Sequence, residues 1–188
     1  MRRIVVTEFM SLDGIFEDPG NAEKYKYGGW TMPFINDEFN NFKEEELHAA
    51  DAQLLGRITY EGFAKAWPER TGDAFSDKFN NMPKYVVSKT LKKAEWNNSH
   101  IIAHNVAKEI ALLKEEEGND ILVSGSGKLV NFLLEEELVD ELRLLVYPVV
   151  LGTGKRLFTT HVKLHLIAST PFKTGVVAYR YEPLREML

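Results

Sequence analysis

Three short clusters in this chain combine glycine with small polar or cationic residues in the order an anion site requires. The first is Gly125-Ser126-Gly127-Lys128-Leu129, preceded by Ile121-Leu122-Val123-Ser124. An apolar run bounded by glycine suits a strand buried on both faces. Leu129, Phe132, Leu133 and Leu134 then recur at helical spacing, so the glycines turn the chain directly into a helix. The first turn of that helix presents unpaired N–H groups, and the glycines leave no side chain between main chain and ligand. The pyrophosphate of a dinucleotide fits such a place. The second cluster repeats the geometry: Ala52-Gln53-Leu54-Leu55-Gly56 reads as a strand and Arg57-Ile58-Thr59-Tyr60-Glu61 as a helix start. Arg57 adds a guanidinium suited to phosphate, although it would serve equally as the partner of a surface carboxylate. The third, Ser88-Lys89-Thr90, follows the strand Lys84–Ser88. Polar and cationic groups at a strand's carboxyl end can bind a ribose 2′-phosphate, although a bare turn there needs no ligand.

Taken singly these signals are weak, because an isolated G-x-G most often only permits a tight turn. Val130 stands where the Rossmann fingerprint needs its third glycine, and Leu122 and Leu129 break a Walker A pattern. The later Gly152-Thr153-Gly154-Lys155-Arg156 fails the same test at Val149 and Arg156. There is no G-x-S-x-G elbow. His100/His104 and His161/His165 are four residues apart but lie in no HExxH, so packing or surface roles are expected and no metal site.

The 188 residues suit one domain spanning 1–188. A net charge of −5 argues against nucleic acid as the main partner, and the absence of cysteine excludes disulfides and thiolate chemistry. No apolar run approaches a membrane span, and Met1-Arg2-Arg3 leads into a strand rather than a signal peptide, so a cytoplasmic protein is expected.

The elements that must position these clusters follow in order. Ile4–Met10 reads as a central strand, with Val5, Thr7 and Phe9 on one face and Val6, Glu8 and Met10 on the other. A long loop rich in glycine, proline and aromatics runs to Pro33; its Tyr25, Tyr27 and Trp30 would either cover a planar ligand or simply pack. Phe34 to Asp51 reads as a helix, with the Glu44-Glu45-Glu46 run as solvated surface. A short helix falls between Gly72 and Pro83, a strand over His100–Ala103, and a helix capped by Asn105 running through Glu117. Val139–Val150 reads as a long strand, and Lys163–Ser169 with Gly175–Tyr181 as an antiparallel hairpin. Strands alternating with helices and closed by a hairpin predict an α/β fold, mostly parallel with an antiparallel edge.

With the elements laid out, Leu55-Gly56-Arg57-Ile58-Thr59-Tyr60-Glu61 resembles the G-R-x-T-[YW]-E signature of the dihydrofolate reductase superfamily. Met10-Ser11-Leu12-Asp13-Gly14 and Tyr147-Pro148-Val149-Val150-Leu151-Gly152-Thr153-Gly154-Lys155-Arg156-Leu157-Phe158 resemble more closely the RibD C-terminal family, the reductase domain of riboflavin biosynthesis. The resemblance covers nearly the whole chain. It implies a dihydrofolate reductase-like sheet of about eight strands and NADPH as hydride donor. Carried over by position, Gly56, Arg57 and Thr59 would hold the pyrophosphate and adenosine side. Ser88, Lys89 and Thr90 would receive the 2′-phosphate, and Gly125, Ser126, Gly127 and Leu129 would cradle the pyrophosphate from the other side. Thr7, Phe9, Asp13, Trp30 and Pro148 are candidates for the substrate pocket. The resemblance implies reduction of a small heterocyclic or carbonyl/imine substrate, with a homodimer as the assembly. A protein that binds NADPH without turnover is the alternative, and a true dihydrofolate reductase a third. Where the riboflavin reductase carries an Asp-Asp-Pro-x-Leu segment, this chain reads Phe63-Ala64-Lys65-Ala66-Trp67-Pro68.

Overall fold

In the computed structural model, which describes residues 1–184, a single eight-stranded sheet runs through the molecule. The elements, in chain order, are β1 (Ile4–Ser11), α1 (Asp37–Ala49), β2 (Ala50–Gly56), α2 (Arg57–Ala66), α3 (Ala74–Asn81), β3 (Lys84–Val87), β4 (Ser99–Ile102), α4 (Val106–Glu115), β5 (Asp120–Val123), α5 (Gly127–Glu135), β6 (Glu141–Tyr147), β7 (Leu164–Pro171) and β8 (Val177–Pro183). A one-turn 3-10 helix, Met32–Phe34, precedes α1. The strand order is β4-β3-β2-β5-β1-β6-β8-β7. Every pairing from β4 to β6 is parallel, and β8 pairs antiparallel with both β6 and β7. The α/β sheet with a closing antiparallel hairpin is the architecture the pattern predicted. Among the described residues no helix is long and apolar enough to cross a membrane.

Alternation along the central strands divides the core between the two faces. Ile4 and Val6 of β1 and Ile121 and Val123 of β5 pack with Ile110 and Leu113 of α4 and with Leu129, Val130 and Leu133 of α5. Val5 and Leu122 face the other way, onto Leu47 of α1, Tyr60 of α2 and Phe79 of α3. A third, aromatic cluster near the carboxyl end of β6 joins Trp30, Leu145, Tyr147 and Phe172 to Phe9, Phe34, Phe39 and Phe42.

Some sequence expectations are corrected. The helix expected over Phe34–Asp51 is shorter, because Asn36 caps it through Phe39 N–H at 3.0 Å and β2 begins at Ala50. The strand expected over Val139–Val150 spans Glu141–Tyr147. Asn105 precedes α4 in the left-handed region (φ 47°) and makes no side-chain cap. The acidic run is not all solvated, because Glu46 is buried. Thr7 donates to its Oε2 at 3.0 Å, Lys43 lies 2.5 Å away, and Arg143 approaches Oε1 at 3.7 Å. Its helical position turns it onto the sheet, while Glu44 and Glu45 point outward.

Candidate functional site

The site grows from how two neighbouring strands end. β2 and β5 lie side by side, yet β2 feeds α2 on one face of the sheet and β5 feeds α5 on the other. Chains that part in opposite directions leave a crevice at their carboxyl ends, where open α/β sheets bind ligands. The two turns touch. Gly56 N–H donates to the Gly125 carbonyl at 3.0 Å. A Cβ on Gly56 would stand 2.9 Å from the Ser126 backbone nitrogen, and one on Gly125 would stand 2.8 Å from Thr59 Oγ1. Gly125 also has φ +97°, a region glycine tolerates best, and the Gly125–Ser126 peptide is cis. Gly56, Thr59, Gly125 and Ser126, singled out as separate motifs, are thus one contact surface.

Neither helix at this crevice has a side-chain cap. Gly56 and Ser126 precede α2 and α5 without a side-chain cap, as Asn105 precedes α4, whereas Asn36 and Asp73 cap α1 and α3. Two sets of free N–H groups therefore point into one small region, and both helix dipoles favour negative charge there. Phe16, from the loop after β1, lies over the α5 turn; a Cβ on Gly127 would meet its ring carbons within about 3 Å. Leu129 is buried in the core, so only its backbone can face a ligand.

The remaining expected residues are distributed along the same edge. Ser88 sits at the tip of β3, next to β2, and its Oγ accepts from Thr90 N–H at 3.1 Å and Leu91 N–H at 2.9 Å. That turn leaves Lys89 and Thr90 exposed. Arg57 is half-exposed, and its guanidinium donates to Glu61 one helical turn on, at 2.9 Å. The surface-carboxylate role weighed for it is therefore realised, while its charge stays at the first turn of α2.

Of the substrate-pocket candidates, Phe9 and Trp30 pack edge-on against Tyr147, with ring centroids 5.7 and 5.3 Å apart. Trp30 is buried, and its indole N–H donates to the Glu17 carbonyl at 2.9 Å. Packing is thus the role Trp30 takes, while Tyr27 stays exposed. The Tyr147 hydroxyl is buried without a partner, and burial pushes the phenol above its ordinary range. Pro148 is exposed at the end of β6. Asp13 accepts from Ser11 Oγ at 2.7 Å, Gly152 N–H at 2.8 Å and Leu151 N–H at 3.1 Å. The Ser11 hydroxyl, opposed by partial desolvation and helped by the two amides, holds the carboxyl down to about 2. Asp13 therefore stays ionised and ties β1 to the loop after β6, which leaves it no proton to donate.

Sequence reading passed over Glu8. It lies near the carboxyl end of β1, 9% exposed, and its Oε1 is buried without a hydrogen-bond partner. Burial, only partly countered by the Lys43 ammonium, pushes its carboxyl up to about 8. Signals were present: β1 is an interior strand, so consecutive Thr7 and Glu8 both had to be buried. Arg143, on the interior strand β6, carried the same signal as Glu8, whereas Lys43 escaped notice because a charged residue on a helix carries no local mark of burial.

These features match a known lineage. The profile of the RibD C-terminal domain matches residues 2–178. The chain belongs to that family. The uncharacterized protein YyaP of Bacillus subtilis (strain 168) is 30% identical over 188 residues, covering 96% of this chain and 94% of its own. Among solved structures, the diaminohydroxyphosphoribosylaminopyrimidine deaminase/5-amino-6-(5-phosphoribosylamino)uracil reductase of Thermotoga maritima superposes with a TM-score of 0.65 at 16% identity, over 97% of this chain and 57% of that one. A dihydrofolate reductase from Enterococcus faecalis, complexed with NADP(H), gives a TM-score of 0.62 at 16% identity, over 96% of both chains. At such identities the two superpositions establish a shared fold. In this RibD C-terminal domain, the residues at the β2–β5 crevice fit a nicotinamide dinucleotide. Glycines let the two turns pack where a Cβ would clash, the two uncapped helix starts so joined match a diphosphate, and Glu8 supplies a buried polar atom lacking a partner.

Proposed function

We propose that this RibD C-terminal domain is an NADPH-dependent reductase acting on a small heterocyclic or carbonyl/imine substrate. The observation that carries the proposal is the contact of two uncapped helix starts across glycines packed too closely to admit a Cβ. In this reading Arg57, Gly56 and Thr59 hold the diphosphate from one side, and Gly125, Ser126 and Gly127 from the other. Ser88, Lys89 and Thr90, one strand further out, take the 2′-phosphate and select NADPH over NADH. The bound dinucleotide supplies a hydride. Phe9 and Pro148, at the carboxyl ends of β1 and β6, stand beside the place where an acceptor would stack, and hydride transfer requires that stack to be dry. The homodimer expected from the family would use the β7 edge, where Leu166 and Ile167 are exposed, and the protein would work in the cytoplasm.

Titration of nicotinamide fluorescence tests the cofactor. Saturable binding well below millimolar is expected, weakened about tenfold or more by Arg57→Ala, since a charge-assisted bond is worth about 1.5–3 kcal/mol. Glu61→Gln is expected to tighten binding by freeing Arg57. No saturable change with the wild-type protein would end the proposal.

A second reading, NADPH binding without turnover, draws on the aromatic cluster that fills the space beside Trp30 and Tyr147. Incubation with NADPH and a panel of pteridines, pyrimidines and quinones separates the two. Loss of nicotinamide absorbance beyond background supports the enzyme.

A further inference from the structure

The register Val6↔Val123 ends the pairing of β1 with β5, and two residues further along each chain stand Glu8 and Gly125. The side chains agree: Glu8 Oε1 lies 3.4 Å from where a Gly125 Cβ would stand. The strand order gives this position a direction. From the proposed 2′-phosphate turn on β3, through the diphosphate site at the β2 and β5 tips, the next strand is β1. A dinucleotide laid along that edge reaches β1 with its nicotinamide end, and Glu8 is the buried titratable group waiting there.

We propose that Glu8 carries the proton of the reduction, neutral when the reduced nicotinamide is bound and ionised opposite the cationic ring of NADP+. The inference rests on the reductase reading above. Glu8 gives its proton to the oxygen or nitrogen that takes up the π electron pair of the acceptor as the hydride joins the neighbouring carbon. The C=O or C=N double bond becomes a single bond, and the Glu8 carboxylate remains to balance the ring's positive charge. Water returns the proton once the oxidised cofactor has left. Burial keeps such a carboxyl protonated at neutral pH, the state a general acid needs.

The surrounding charges leave Glu8 free for this role. From α1, Lys43 acts on it but is held by Glu46 at 2.5 Å and accepted by Thr7 Oγ1 at 3.1 Å. From β6, Arg143 is engaged by Glu141 at 2.7 Å and approaches Glu46. On α2, Arg57 and Glu61 pair with each other, and Lys128 in the first turn of α5 is exposed. Asp13, beyond β1, is occupied by Ser11 and two amides.

The test needs no substrate. Calorimetric titration of the wild-type protein with NADPH and with NADP+ at pH 7, in two buffers of different ionisation enthalpy, counts protons released on binding. NADP+ is expected to release close to one proton and NADPH close to none. Affinity for NADP+ relative to NADPH then rises about tenfold per pH unit below the carboxyl's pKa, because binding that releases a proton is favoured as pH rises. Glu8→Gln is expected to bind both forms and abolish the difference. Infrared difference spectra of the wild-type protein alone, NADP+-bound minus NADPH-bound, should show loss of a protonated-carboxyl stretch, which keeps the test decisive should the variant not fold. Equal proton counts for the two cofactors, or a difference that persists in Glu8→Gln, overturns the role of Glu8 while the reductase reading stands. Failure of both cofactors to bind overturns the two together.

Discussion

Replacing Gly56 by alanine probes the contact on which the site depends. Gly56 has φ −74°, ordinary for alanine, so the added methyl costs no backbone strain and its effect is steric. That methyl would stand 2.9 Å from the Ser126 backbone nitrogen, 3.0 Å from its Cβ and closer still to its hydroxyl. The hydroxyl can rotate away, but the backbone nitrogen cannot move without parting the β2 and β5 tips and stretching the 3.0 Å bond from Gly56 N–H to Gly125. Overpacking of this kind costs about 1–3 kcal/mol. Gly62 is the internal control: it lies inside α2 with no neighbour within 4 Å of a modest methyl, so Gly62→Ala should stabilise by about 0.5–1 kcal/mol. Urea unfolding reads both as midpoint shifts at unchanged slope. Ser126→Gly in the Gly56→Ala background removes two of the three close contacts and should restore roughly 1 kcal/mol, a coupling measurable in a double-mutant cycle. Nicotinamide fluorescence should show weakened NADPH binding in Gly56→Ala and unchanged binding in Gly62→Ala. If Gly56→Ala were as stable as wild type and uncoupled from Ser126, the two turns would not be in contact, and the crevice as described would not exist.

Two further outcomes concern what holds the sheet beside the site. Burial opposes ionisation of Glu141, but the guanidiniums of Arg180 and Arg143, each 2.7 Å away, outweigh it and hold the carboxyl down to about 2. A depressed carboxylate pKa stabilises fully above the unfolded value near 4.5 and loses that stabilisation as pH falls through about 2. Glu141→Gln should therefore cost about 3 kcal/mol at pH 7. In urea melts the gap from wild type should narrow steadily below pH 4.5, and a gap independent of pH would contradict the assignment. Lys84, fully buried at the start of β3, donates to the carbonyls of Asn80, Met82 and Asn97 at 2.7, 2.8 and 3.1 Å, with Trp96 against it. Burial pushes its ammonium down to about 8, still cationic at pH 7. Lys84→Met strands three carbonyls and should cost about 2–4 kcal/mol by the same assay; a neutral result would show that water reaches them.

The local chemistry of the site was written in the sequence. Gly56-Arg57 and Gly125-Ser126-Gly127 announce strand-to-helix turns because a glycine beside an apolar run acts over a few residues, whatever the rest of the chain does. The alternation in Ile4–Met10 likewise assigned Val5 and Val6 to opposite faces, as the two cores confirm. What no local pattern held was adjacency. That β5 inserts between β2 and β1, bringing turns separated by about seventy residues into contact, depends on the crossovers and on burying both faces of the sheet at once. The same long-range packing took Glu46 out of an acidic run and onto Thr7, and left Glu8 buried beside Gly125. Residue type gives a carboxylate its ordinary proton affinity; only the neighbours brought by the fold decide whether it is solvated, paired like Glu141, or left to hold its proton like Glu8.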